Sequence, residues 1–203
     1  MVLIGLCLLA FGLRVARLDF HPIWFDEDLA YQRATATLAV SLASMAGSPL
    51  YYILLRGWVQ VAGASLFALR YFSVLWGTLT IPLIYQVTRR WLGGQIALAT
   101  TLIAVFAPFY IYYSQEARTY SLTLALMLIS MVAFLRWLDT HEAWALAVCG
   151  LANLICLYTH FVAALVIATQ GVMLLIVHPL RWRDLASFSV AHAGVGLAFL
   201  PWL

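Results

Sequence analysis

Residues 71–90 read YFSVLWGTLTIPLIYQVTRR, an apolar run without charge until Arg89 and Arg90 close it. About 20 such residues carry a helix across the hydrocarbon of a bilayer, where no water satisfies a stray polar group. The same punctuation continues downstream. Residues 91–115 carry no charge before Glu116 and Arg118, and residues 119–135 none before Arg136. Residues 143–180 are uncharged again, too long for one crossing, and divide at Tyr158-Thr159-His160, the polar break near their middle. Upstream, residues 1–13 lack the basic start and cleavage pattern of a signal peptide and read as a first span. Arg14 and Arg17 are then expected to snorkel at its outer end.

The composition leads the same way. Of 203 residues, 65% are hydrophobic and 9% charged, with a mean hydropathy of +0.97. A soluble domain carries about one quarter charged residues, so these are too few to coat a water-facing globule. All 11 basic residues are arginine and the net charge of +3 is dispersed, which excludes a nucleic-acid surface. Cys7, Cys149 and Cys156 lie in apolar stretches and read as small buried hydrophobes, not a disulfide framework or metal site.

The expected fold is therefore an all-α membrane protein, a polytopic helix bundle forming a single transmembrane domain over 1–203. Spans are expected near 2–18, 67–88, 93–112, 119–136, 143–158, 161–178 and 185–203, with an outer loop at 19–66. Arg89 and Arg90, Arg136, and Arg181 with Arg183 fall in alternate short loops, which the positive-inside rule assigns to the cytoplasm. The 19–66 loop and the turns at 114–118 and 159–160 then share the outer face of an inner or plasma membrane. Within the loop, Leu50, Ile53, Leu54, Trp58 and Val61 recur at helical spacing, behind Pro49. Residues 49–61 read as an amphipathic interfacial helix, with Tyr51, Tyr52 and Trp58 at the headgroups. Residues 28–43 read as another.

Two clusters carry chemistry. One is Trp24-Phe25-Asp26-Glu27-Asp28, and the other is Tyr112-Tyr113-Ser114-Gln115-Glu116-Ala117-Arg118-Thr119-Tyr120. Carboxylates beside lipid are costly unless solvated, paired or functional, and a cavity lined by Asp26, Glu116 and Arg118 accounts for them. Spacing alone reads the acids equally well as a solvated helix cap, and Glu116 with Arg118 as an ordinary interfacial pair. His160 alone reads as structural before catalytic.

Beyond spacing, the sequence resembles the bacterial GT-C glycosyltransferases, the group of glycosyltransferase family 39 and dolichyl-phosphate-mannose protein mannosyltransferase-like enzymes. The resemblance rests on Trp24-Phe25-Asp26-Glu27, Ser48-Pro49-Leu50-Tyr51-Tyr52, Tyr113-Ser114-Gln115-Glu116-Ala117-Arg118-Thr119-Tyr120 and Tyr158-Thr159-His160-Phe161. The family commonly has His-Pro-Pro-Leu-Tyr-Tyr where this chain has Gly47-Ser48-Pro49-Leu50-Tyr51-Tyr52, and a small residue at Asp28. Its members are far longer, so this chain resembles an N-terminal half that stops at Pro201-Trp202-Leu203.

The resemblance implies a GT-C-type helix bundle. It implies a sugar donor on a polyprenyl phosphate, drawn from the bilayer, and attack by an acceptor hydroxyl of unspecified class with inversion. Asp26 matches the family's general base, with Glu27 beside it as a second catalytic acid. Arg118, His160, Tyr113 and Gln115 are implied to bind the donor phosphate. Asp26 and Glu116 are implied as ligands of a divalent cation, Mg²⁺ or Mn²⁺. Two other classes stay open: a non-catalytic membrane subunit or scaffold derived from a truncated transferase, and a transporter. A transporter needs charges in mid-span, whereas these sit at span ends.

Overall fold

The computed structural model describes residues 1–37, 39–40, 48–177 and 181–202. Its described residues are mostly helical, with no strand among them. In chain order these are α1 (Val2–Val15), α2 (Phe25–Thr35), α3 (Pro49–Ala62), α4 (Leu66–Phe106), α5 (Pro108–Ser114), α6 (Tyr120–Thr140), α7 (Ala143–Thr159), α8 (Ala164–Val177) and α9 (Trp182–Phe199). One-turn 3₁₀ segments at Phe161–Ala163 and Leu200–Trp202 complete the order. Of the helix expected at 28–43, α2 covers the part up to Thr35, where Ala36 turns extended, and residues 38 and 41–43 lie outside the described residues, as do 44–47, 178–180 and 203.

By length and composition, three helical stretches suffice to cross a membrane: Leu66–Phe106, Tyr120–Thr140 and Trp182–Trp202. Val2–Val15, Ala143–Thr159 and Phe161–Ile176 are apolar but shorter. Where the sequence suggests separate spans at 67–88 and 93–112, α4 runs through both and breaks at Gly93, whose φ of 82° suits a residue without Cβ. The second limb stops at Phe106 because Pro108 holds Ala107 in an extended conformation.

Three apolar clusters hold the bundle. Tyr51, Tyr52 and Leu55 of α3 pack with Leu69, Phe72, Leu122 and Cys156 at the end of the bundle nearest the acidic cluster. Phe134, Trp137, Leu146, Leu174 and Phe188 fill the other end, while Ala10, Ile81 and Val105 join α1 to α4. Between helices runs a closed polar network. Ser130 Oγ donates to Asn153 Oδ1 at 2.5 Å, Asn153 Nδ2 donates to Gln170 Oε1 at 2.9 Å, and Gln170 Nε2 donates to Ser130 Oγ at 2.7 Å. His192 Nε2 lies 3.0 Å from Asn153 Nδ2 and brings α9 into the same group. Interhelical side-chain bonds of this kind fix register where hydrocarbon offers no alternative partner.

Two expectations are corrected. Arg14 does not snorkel: it is fully buried, donating to Ser114 Oγ at 3.3 Å and to the carbonyls of Ala10 and Ala104. Inside an apolar bundle a guanidinium is tolerated when its fork is occupied, and here three acceptors occupy it. Tyr51 and Tyr52 are not headgroup aromatics either, since they are 1% and 5% exposed and Tyr51 packs against Phe72. The face of α3 turned outward carries Ile53, Leu54 and Val61 instead.

Candidate functional site

Asp26, Glu27 and Asp28 occupy the first turn of α2, where the helix dipole favours carboxylates. Successive helical residues diverge by about 100°, so neighbouring acids face different surroundings. Glu27 turns inward and is fully buried. Arg70 grips it through Nε to Oε1 at 2.9 Å and Nη2 to Oε2 at 2.6 Å. Arg70 also donates to the carbonyls of Leu18, His21 and Pro22, and the Ala117 N–H donates to Glu27 Oε1 at 2.9 Å. One buried ion pair thereby ties together the 18–22 turn, α2, α4 and the 115–119 turn.

Asp26 turns the other way. Its carboxylate lies 3.3 Å from Arg118 Nη2, with the two side chains 32% and 21% exposed, and its backbone carbonyl accepts from Arg118 Nη1 at 3.3 Å. Arg118 also lies 5.9 Å from the centre of the Tyr120 ring, and its buried Nε has no partner among the described residues. Burial draws the Arg118 guanidinium down, but the Asp26 carboxylate and the neighbouring tyrosines outweigh it and leave Arg118 firmly charged.

Glu116 is 6% exposed. Burial raises its carboxyl above the usual range, opposed by a hydrogen bond from Tyr112, with Glu27 adding repulsion. His160 follows the last residue of α7, and its Nδ1 accepts from the Val162 N–H at 3.3 Å. That contact leaves the proton of the neutral ring on Nε2. Burial, then the charge of Arg118, lowers its basicity below the usual 6.5.

Beside these groups opens a groove of about 540 Å³, whose lining includes Gly77, Thr80, Tyr113, Tyr120, Leu124 and His160. It is lined mainly by apolar atoms. Tyr113 packs edge-on against Tyr120 at 4.8 Å and Phe109 at 4.5 Å. Gly77 forms part of the floor because Ser114 leaves no room for a Cβ there, with Oγ 2.2 Å from its ideal position.

Of the expected site residues, Tyr113 and His160 line this groove, while Arg118 adjoins it through Tyr120, with Asp26 paired to Arg118 and Glu116 bonded to Tyr112. Gln115 lies elsewhere: Nε2 donates to the carbonyls of Arg14 and Ala16 and closes the end of α1. Glu27, expected beside Asp26 as a catalytic acid, is sealed by Arg70 and cannot meet a substrate. Asp26 and Glu116 do not fit a cation site, since Arg118 engages one and Tyr112 the other. No group of three His, Cys, Asp or Glu gathers for a metal among the described residues. Arg14 is missed by the sequence reading because a basic residue beside an apolar run marks a span end whether it points in or out, and Arg70 because it carries no local signal.

A family model described as dolichyl-phosphate-mannose-protein mannosyltransferase matches residues 46–203. The match includes Arg118 and His160, while Asp26 lies before it. No curated protein and no solved structure matches the chain.

Proposed function

The chain belongs to the dolichyl-phosphate-mannose-protein mannosyltransferase family, membrane glycosyltransferases of the GT-C type, and from that premise we propose that it moves a sugar from a polyprenyl phosphate to an acceptor hydroxyl with inversion. The observation that carries this is the Asp26–Arg118 pair, whose guanidinium lies against Tyr120, a residue of the apolar groove. A general base, a phosphate-binding cation and room for a lipid chain are the three things such a transfer needs.

The isoprenoid lies in the groove against Tyr113, Tyr120 and Leu124, and the phosphate reaches Arg118. Arg118 meets a phosphate as a two-pronged donor, which its 3.3 Å contact with Asp26 leaves loosely occupied. As phosphate takes over the guanidinium, the Asp26 carboxylate is released to accept the proton of the attacking hydroxyl. The acceptor oxygen bonds to the anomeric carbon, the bond from that carbon to the phosphate oxygen breaks, and polyprenyl phosphate leaves with the electron pair. Its new negative charge is met by Arg118 and by the Nε2–H of neutral His160. Glu27 and Arg70 hold the two segments in register without touching substrate. No step is routed through a metal.

The site faces outward from an inner or plasma membrane in this reading. Support comes from Arg89 and Arg90 at the end of the first limb of α4, before Gly93, and from Arg136 in the last turns of α6, where the positive-inside rule favours the cytoplasm. The test is transfer from a radiolabelled polyprenyl-phosphate sugar in membranes, by the native chain and its Asp26→Asn variant. Transfer lost in the variant at equal expression supports the assignment. Transfer that survives removes Asp26 from the role, and no transfer by the native chain across several donors favours a non-catalytic subunit.

A further inference from the structure

From Arg70 to Arg89 along α4, and from Tyr120 to Asp139 along α6, is 19 residues in each case, about 28 Å of helix. That is close to one hydrocarbon thickness. Where the first limb of α4 and α6 end lies a second concavity of about 520 Å³, lined by Tyr85, Gln86, Arg89, Arg90, Arg136 and Asp139 among others. It shares no lining residue with the groove beside Arg118.

Its cations are unevenly compensated. Arg90 Nε donates to Asp139 Oδ2 at 2.9 Å, and Arg136 lies 3.2 Å from Glu142 Oε2. Arg89 is exposed and makes no ion pair or hydrogen bond among the described residues. The surroundings are those of a bilayer boundary. The Arg136 guanidinium stands 4.8 Å from the centre of the Trp144 ring, and Arg90 stands 5.8 Å from that of Trp91. Trp91, Leu92 and Trp144 are exposed. Indoles at this depth mark the headgroup level, so the concavity opens where lipid phosphates lie and the apolar helices leading away from it can carry acyl chains.

We propose that this pocket binds the phosphate of an anionic phospholipid headgroup, with Arg89 as its principal cation and Arg136 and Arg90 at its sides. Tyr85 and Gln86 supply neutral donors toward the same phosphate. Arg90 and Arg136 are held by Asp139 and Glu142, so Arg89 is the uncompensated charge; a zwitterionic lipid brings its own cation to it and is disfavoured, and the pocket selects for net negative charge. The proposal is independent of the transfer chemistry and stands whether or not that reading holds.

The test is native mass spectrometry of the full chain in detergent with added phosphatidylglycerol or phosphatidylcholine. The variants are Arg89→Gln, Arg89→Gln with Arg136→Gln, and Arg183→Gln as a charge-matched control. We expect selective retention of phosphatidylglycerol, weakened about fivefold by Arg89→Gln, further by the double variant, and not by Arg183→Gln. Equal retention of the two lipids overturns the proposal, as does equal weakening by Arg183→Gln. Inorganic phosphate that raises the melting temperature of the native chain but not of Arg89→Gln, without selective lipid retention, keeps the phosphate site and overturns lipid as its source. Should the double variant fail to fold, Arg89→Gln decides alone, because that side chain has no ion pair or hydrogen bond to lose among the described residues.

Discussion

Arg70 holds both carboxylate oxygens of Glu27, with Nη2 to Oε2 at 2.6 Å, and neither side chain is more than 6% exposed. The two residues are separated by 43 positions, and their pairing draws the turn bearing Arg118 against the helix bearing Asp26. The placement of Arg118 against Asp26 therefore depends on a pair buried away from the exposed faces of those two side chains.

Breaking that pair from one side leaves a buried charge unmatched. Glu27→Gln or Arg70→Met is expected to cost about 3–5 kcal/mol. Thermal unfolding in detergent measures this, and a double-mutant cycle should show strong coupling. Single losses that simply add would mean the two residues do not stabilise the fold through each other.

At the Asp26–Arg118 pair the expectation concerns rate. Asp26→Asn keeps shape and removes basicity, so transfer should fall by about 10²–10⁴ while the melting temperature barely moves, the pair being part-exposed. Arg118→Lys keeps charge and loses the fork, which should weaken donor binding more than it slows turnover by bound donor. Donor titration separates the two effects.

His160 makes the fold acid-sensitive. Its basicity in the folded state is below the usual 6.5, because burial and the Arg118 charge disfavour the imidazolium. A base whose folded value is lowered contributes stability that is present above the unfolded value and is lost as pH falls through the folded one. Between pH 7.5 and 5 the native chain should lose more melting temperature than His160→Asn. Parallel curves would show that protonation of His160 is not resisted by the fold.

Gly77 offers a steric test. A Cβ there would meet Ser114 Oγ at 2.2 Å and Ser114 Cβ at 2.7 Å. Ser114 cannot retreat freely, since its hydroxyl donates to the Tyr110 carbonyl and accepts from Arg14. Gly77→Ala should destabilise by about 1–3 kcal/mol and constrict the groove, raising the donor concentration needed for transfer. A variant with native stability and native donor dependence would refute this account of the floor.

The helical architecture and the positions of the acidic and basic clusters are legible in the order of residues alone. Charges are excluded from hydrocarbon, so the intervals between them delimit helices, and this one-dimensional signal survives without any knowledge of packing. The sequence also singles out Asp26, Arg118 and His160 as candidates, through short motifs whose residues lie near one another in the chain. Which way each charge faces is decided by packing. Arg14 reads as a span end and Arg70 carries no local signal, yet both are buried, their acceptors arriving from segments as far as 100 and 52 positions away. Gln115 belongs to the end of α1, and α3 turns its tyrosines inward and its aliphatic stripe outward. Periodicity gives the spacing of residues along a helix, but the direction of a side chain is set by the partner it meets, and partners so distant in sequence leave no local pattern to read.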